Sequence, residues 1–75
     1  MNTNRRKRLR AVLKKLDEAK TEVESVMDEE DEARDNMPES LQETDRYSES
    51  EEASEAMDTA IGNIEEAISA IEDVV

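Results

Sequence analysis

The 75-residue chain has no cysteine and no histidine, one glycine, one proline and a single aromatic residue, Tyr47. Without cysteine there is no disulfide framework. Without cysteine or histidine there is no Cys/His zinc site, no thiolate nucleophile and no imidazole base. One glycine rules out a glycine-rich phosphate loop, and one proline leaves long stretches free to be helical. Serines 40, 48, 50, 54 and 69 have no histidine to activate them. No apolar run approaches the roughly 20 residues of a membrane span, and no apolar segment follows the basic start as in an export signal. The expectation is a non-enzymatic protein of the cytoplasm that needs no cofactor.

Charge is abundant and unevenly placed. Ten Lys and Arg stand against 22 Asp and Glu, for a net charge of −12. Residues 1–20 hold eight of the cations, Arg5, Arg6, Lys7, Arg8, Arg10, Lys14, Lys15 and Lys20, against two acids. Residues 21–75 hold two cations, Arg34 and Arg46, against 20 acids. A basic head on an acidic body restricts both the choice of partner and the way the chain folds on itself.

Apolar spacing defines two helices. Leu9, Val12, Leu16, Ala19, Val23, Val26, Glu30, Ala33 and Met37 alternate steps of three and four, the spacing of heptad positions a and d. Leu13 and Met27 widen the stripe at e, and Glu30 is its one polar member. The spacing predicts a helix over about 4–35, capped by Asn2, Thr3 or Asn4 and ended by Pro38, which disfavours helical geometry in the preceding residue. Residues 36–47 form a connector in which Glu39–Gln42 make one turn with Leu41 tucked inward. Ser48 followed by Glu51 fits a capping box and predicts a second helix over about 48–74.

In that second helix Ala53, Met57, Ala60, Ile64, Ala67, Ile71 and Val74 occupy d and a. Ile61, Ile68 and Val75 add e, and Ala56 and Ala70 add g. Such a wide apolar face reaches two neighbouring helices at once. The expected fold is all-α, an antiparallel helical hairpin with coiled-coil spacing that dimerises into a four-helix bundle, because two helices close too little core alone. Leu9, Val12, Leu16, Val23, Met57, Ile61, Ile64, Ile68 and Ile71 are the candidate core and dimer residues. Antiparallel pairing sets the basic head beside Glu65, Glu66, Glu72 and Asp73, offsetting cations at one helix N-terminus and anions at the other's C-terminus. The same head, residues 5–15, is the one candidate for direct nucleic-acid binding.

The acidic run Asp28–Glu32 with Asp35 has the composition of a calcium loop but not its turn glycine, and it lies within helical heptads, so no metal site is expected. It is either a solvated helix face or an anionic surface imitating phosphates. Neighbouring side chains on a helix stand about 5–6 Å apart, comparable to phosphates along a strand. Crowding of this kind is expected to raise carboxylate pKa values. Glu30 is expected at a frayed bundle end or paired with Arg34. Gly62 falls at f, facing outward or accepting a close neighbour, and Tyr47 either caps the bundle end or anchors a partner.

Four segments carry a resemblance: R-R-K-R-L at 5–9, L-D-E-A-K at 16–20, D-E-E-D-E-A-R-D-N-M-P-E-S-L-Q at 28–42, and A-I-G-N-I-E-E-A-I-S-A-I-E-D at 60–73. Together they resemble a group of small acidic helical proteins of phages and prophages of Gram-positive bacteria. The resemblance brings no site residues with it. It implies a setting, a host bacterial cell in which small acidic phage proteins disable defence nucleases or occupy nucleic-acid grooves. The expected function is an inhibitor that binds a host nucleic-acid-binding protein or nuclease, as a DNA mimic of anti-CRISPR or anti-restriction type. Glu24, Asp28, Glu29, Asp31, Glu32, Asp35, Glu39 and Glu43 are its candidate contacts. The alternative is a structural or adaptor module docking through the apolar face of helix 2, with Ile61, Ile68 and Val75 as contacts.

Overall fold

A computed structural model describes residues 1–75 as two helices and a short joining turn. Helix α1 spans Thr3–Asp35, a 3-10 turn spans Glu39–Leu41, and helix α2 spans Asp45–Glu72. The helices pack antiparallel, and the Cα envelope measures 59 × 14 × 12 Å. A rod of that section has a seam but no interior.

Local chemistry explains where each helix begins and ends. The Asn2 side chain accepts a hydrogen bond from the Arg5 amide at 2.8 Å, satisfying one of the free amides of the first turn. α1 ends at Asp35, as the geometry before Pro38 requires, with Asn36 as its C-cap. The Leu41 amide then returns to the Pro38 carbonyl at 2.9 Å, closing the turn. Leu41 itself remains 38% exposed rather than tucked inward. The turn is too short to fold it back over the helix ends.

α2 starts at Asp45, three residues ahead of the capping box at Ser48 and Glu51. Its N-cap Thr44 makes no side-chain capping bond, and the Thr44 hydroxyl donates to the Leu41 carbonyl at 2.6 Å. The connector is correspondingly shorter, and Tyr47 lies within the first turns of α2 rather than before it.

The seam uses heptad positions a and e of both helices. Along α1 and just past it, the half-buried side chains at a and e run Leu9, Leu13, Leu16, Lys20, Val23, Met27, Glu30, Arg34 and Met37, with Glu24 and Asp31 half-buried beside them at b. Along α2 and just past it, those at a and e run Tyr47, Ser50, Ser54, Met57, Ile61, Ile64, Ile68, Ile71 and Val75, of which Ser50 and Ile61 are the most enclosed at 8% exposure. The d alanines Ala53, Ala60 and Ala67 are half-buried beside them. Ile61 and Ile68, the e positions offered as a free docking surface, are therefore spent on α1. Bulk decides this. Position e carries Leu13, Lys20, Met27 and Arg34 on α1 and Ser54, Ile61 and Ile68 on α2, whereas d carries only Ala and Val over the same spans. Pairing through a and e therefore covers the larger aliphatic side chains and the stems of Lys20 and Arg34.

Cross-helix contacts set the register. Lys20 reaches Glu65 at 3.2 Å, Ser54 bonds Asp31, and Arg10 donates to the Val75 carbonyl at 3.3 Å. In this register Val12 stands level with Val74, Ala19 with Ala67, Val26 with Ala60 and Ala33 with Ala53. These d residues flank the seam on one side. Val26 and Val74 are each 46% exposed. The other flank, position b, carries Arg10, Asp17, Glu24 and Asp31 on α1 and Glu51, Asp58, Glu65 and Glu72 on α2. Lys20 pairs with both Glu24 and Glu65, which places the two b flanks on the same side. The hairpin is thus apolar on one side and acidic on the other.

Gly62, at f on the acidic side, has no atom within 4 Å of where a Cβ would sit. Glycine in a helix interior costs up to about 1 kcal/mol relative to alanine. Gly62→Ala is therefore expected to raise the unfolding free energy by about 0.5–1 kcal/mol, read from chemical denaturation by circular dichroism.

Candidate acidic interface

The acidic side is assembled by both helices. α1 supplies Glu24 and Asp31 at b and Asp28 and Asp35 at f. α2 supplies Glu51, Asp58, Glu65 and Glu72 at b and Glu55 at f. Each stripe repeats every seven residues, or about 10.5 Å along a helix. Asp28, Asp35, Glu51, Glu55, Asp58, Glu65 and Glu72 are all exposed, so the side presents a ladder of carboxylates to solvent.

The eight residues expected to make contact do not share one surface. Glu24, Asp28, Asp31 and Asp35 lie on the acidic side. Glu29 is at g, on the edge of the apolar side, and Glu32 is at c, directly away from α2. Glu39 and Glu43 sit at the hairpin tip. Consecutive acids from 28 to 32 radiate around the helix at about 100° per residue, and nowhere do three carboxylates converge on one point. The α2 contributors were missed in sequence. Their signal was the seven-residue repeat Glu51, Asp58, Glu65, Glu72, masked by the neighbouring acids at 49, 52, 55 and 66.

Two of the candidates are engaged inside the hairpin. Glu24 stands 3.9 Å from Lys20, which also holds Glu65. The Glu65 hydrogen bond, then its charge, raises the Lys20 pKa. Asp31 belongs to a polar layer at the loop end of the seam. One Arg34 nitrogen donates to the Asp31 carboxylate at 2.9 Å. The other donates to the Ser54 hydroxyl at 2.8 Å and to the Ser50 carbonyl and hydroxyl, each at 3.2 Å. The Ser54 hydroxyl closes the ring by donating to Asp31 at 2.6 Å. Arg34 thus takes Asp31 three residues earlier as its partner, rather than Glu30 four residues earlier. At b, Asp31 faces Ser54, whereas Glu30 at a lines a mostly polar hollow with Met37 and Arg46.

The layer reverses the expected pKa direction at Asp31. The Ser54 hydrogen bond first, and Arg34 second, hold its carboxyl below the usual carboxylate range, while Asp31 raises Arg34. The basic head is less engaged than expected. Arg10 and Lys20 alone of the eight cations bond across the hairpin with their side chains, Arg10 to Val75 beyond the end of α2 and Lys20 to Glu65. Arg5, Arg6, Lys7, Arg8, Lys14 and Lys15 make no ion pair. Charge compensation at the open end rests chiefly on Arg10, which sets a cation at the C-terminus of α2.

A depressed folded pKa contributes stability that is fully present above the unfolded value near 3.9 and is lost as pH falls through the folded value. The melting temperature of Asp31→Asn is therefore expected to lie below that of the native chain by a constant interval above about pH 5. That interval closes as pH drops below about 4, which paired melting curves from pH 2 to 7 will show.

No protein-family model matches the chain, and neither a curated protein nor a solved structure matches it.

Proposed function

We propose that the chain is a non-enzymatic inhibitor of phage type, active in the cytoplasm of a host bacterial cell. It binds a host nucleic-acid-binding protein, a CRISPR or restriction effector, through a surface that imitates nucleic acid. The observation that carries this reading is the acidic side itself. Carboxylates from both helices line one side of a narrow rod whose net charge is −12. A basic groove that releases counterions on binding phosphates releases them equally on binding such a ladder. Asp28, Asp35, Glu51 and Asp58 are exposed and free of ion pairs, so they are the contacts favoured by geometry.

The inhibitor acts as a homodimer in which two hairpins form a four-helix bundle. Ile61 is the one apolar side chain less than one-tenth exposed, so a single hairpin leaves most of its aliphatic surface half-wet. A docking module remains the second reading, favoured by the continuous apolar flank. On α2 its contacts fall on Ala53, Ala60, Ala67 and Val74, since Ile61 and Ile68 are committed to the seam.

The test is displacement of a fluorescent DNA duplex from purified CRISPR and restriction effectors. The native chain is expected to displace it, with affinity falling steeply between 50 and 200 mM salt. Changing Asp28 and Asp58 to Asn, Asp35 to Asn and Glu51 to Gln should remove displacement while helicity is retained. Rim charges contribute modestly one at a time, so each single change should weaken displacement less than about fivefold. A well-folded quadruple variant that displaces DNA as well as the native chain would eliminate the mimic and favour the docking module.

A further inference from the structure

We propose that a second copy of this chain covers the apolar side with its helices reversed, about a two-fold axis that crosses the rod rather than running along it. This deepens the dimer of the proposed function, and rests on it, by naming the face and the orientation.

The face comes from the register. The d residues of both helices stand level in pairs across the seam, so the flank is a continuous apolar strip rather than two offset ones. Val12, Val26 and Val74 are its exposed bulk, at 38%, 46% and 46%. The alanines between them leave room for another pair of helices to approach closely.

The orientation comes from charge at the edges of that strip. On α1 the g positions are Arg8, Lys15, Glu22 and Glu29, two cations followed by two acids. On α2 the matching edge is Glu49, Ala56, Asn63 and Ala70, with one charge at its end. Two symmetric ways exist to lay one hairpin face to face on another. With the axis along the rod, α1 borders α2 of the other copy, and its four charges meet a nearly uncharged edge. With the axis across the rod, α1 borders the reversed α1. The cations Arg8 and Lys15 of one copy then meet the acids Glu22 and Glu29 of the other, twice over. The α2 edges also meet near Asn63 and Ala70, where neither copy carries a charge. The edge pattern is self-complementary under this axis alone.

The arrangement has two consequences. The basic open end of each copy lies along the acidic loop end of the other, relieving repulsion between two chains of −12. Both acidic sides face outward on opposite surfaces of the bundle, so one dimer offers two equivalent sites.

The chain has no cysteine, so single spin labels are unambiguous. Glu18→Cys and Glu32→Cys place labels two heptads apart on the outward line of α1, with the same sideways geometry. Sedimentation equilibrium is expected to give the dimer mass for both. Double electron–electron resonance is expected to give an intermolecular distance longer by more than about 10 Å at position 32 than at 18, because axial offset grows from the two-fold at about 1.5 Å per residue. Equal distances at the two positions would overturn the orientation and leave the dimer standing. A folded chain with monomer mass and no intermolecular signal would overturn both. As a second arm, Arg8→Glu with Lys15→Glu should weaken association at least tenfold, and adding Glu22→Lys with Glu29→Lys should restore it. Failure of that restoration in a helical quadruple variant overturns the edge pairing. Effector inhibition is read separately, so loss of the mimic reading alone leaves these outcomes unchanged.

Discussion

Two helices have one line of contact, and the largest side chains of this chain compete for it. Leu13 and Met27 on α1 and Ile61 and Ile68 on α2 take that line together with the a positions, and the arrangement of every other residue follows. Because e rather than d joins a in the seam, the smaller Ala and Val residues are displaced to one flank. The b positions, mostly acidic, are displaced to the other. The separation of apolar and acidic surface is thus a by-product of packing bulk against bulk.

Bulk alone leaves the seam free to slide by a heptad, since Leu, Ile and Met tolerate one another's places. The polar layer at the loop end removes that freedom. Arg34 has its guanidinium shared among Asp31, Ser50 and Ser54, and its side chain is only 16% exposed. Any shift of α2 would strand those donors in a poorly hydrated place, which costs more than a neutral hydrogen bond gains. Lys20 with Glu65 pins the middle and Arg10 with Val75 the open end. Lys20 is half-buried, but Glu65 and Arg10 are exposed, so these contacts contribute little stability and their part is alignment. The layer also sorts the acids by role. Asp31 is structural, whereas neighbours of identical chemistry, such as Asp28 and Asp35, are exposed and make no ion pair.

A two-sided rod suits the role assigned to it. An acidic side flanked by helices in fixed register holds carboxylates at set intervals, which a disordered acidic tail does not. Preorganised charge attracts a basic groove without first ordering the chain that carries it. In the proposed dimer the second copy covers the apolar side, away from the acidic ladder, so association and target binding do not compete.

Helix content, the break at Pro38, a cap among Asn2, Thr3 and Asn4, and the antiparallel hairpin were legible in the sequence, because each depends on local spacing and on residues with a strong preference; the structure chose Asn2. The a/d/e width of the apolar stripes was legible too. Which two of the three positions face the partner helix was not, since a heptad repeat fixes the direction of a stripe only to within its own width. That choice depends on the volumes of side chains on the other helix, which tertiary contact alone brings together. The early start of α2 and the exposure of Leu41 were not legible, since α2 begins after Thr44 without the side-chain cap that marks a helix start in sequence. Among the acids, composition announced a strongly anionic surface. Their division into a paired Asp31, an edge Glu29, an outward Glu32 and an exposed ladder shared with α2 was decided by the seam, because a side chain's surroundings are set by what packs beneath it.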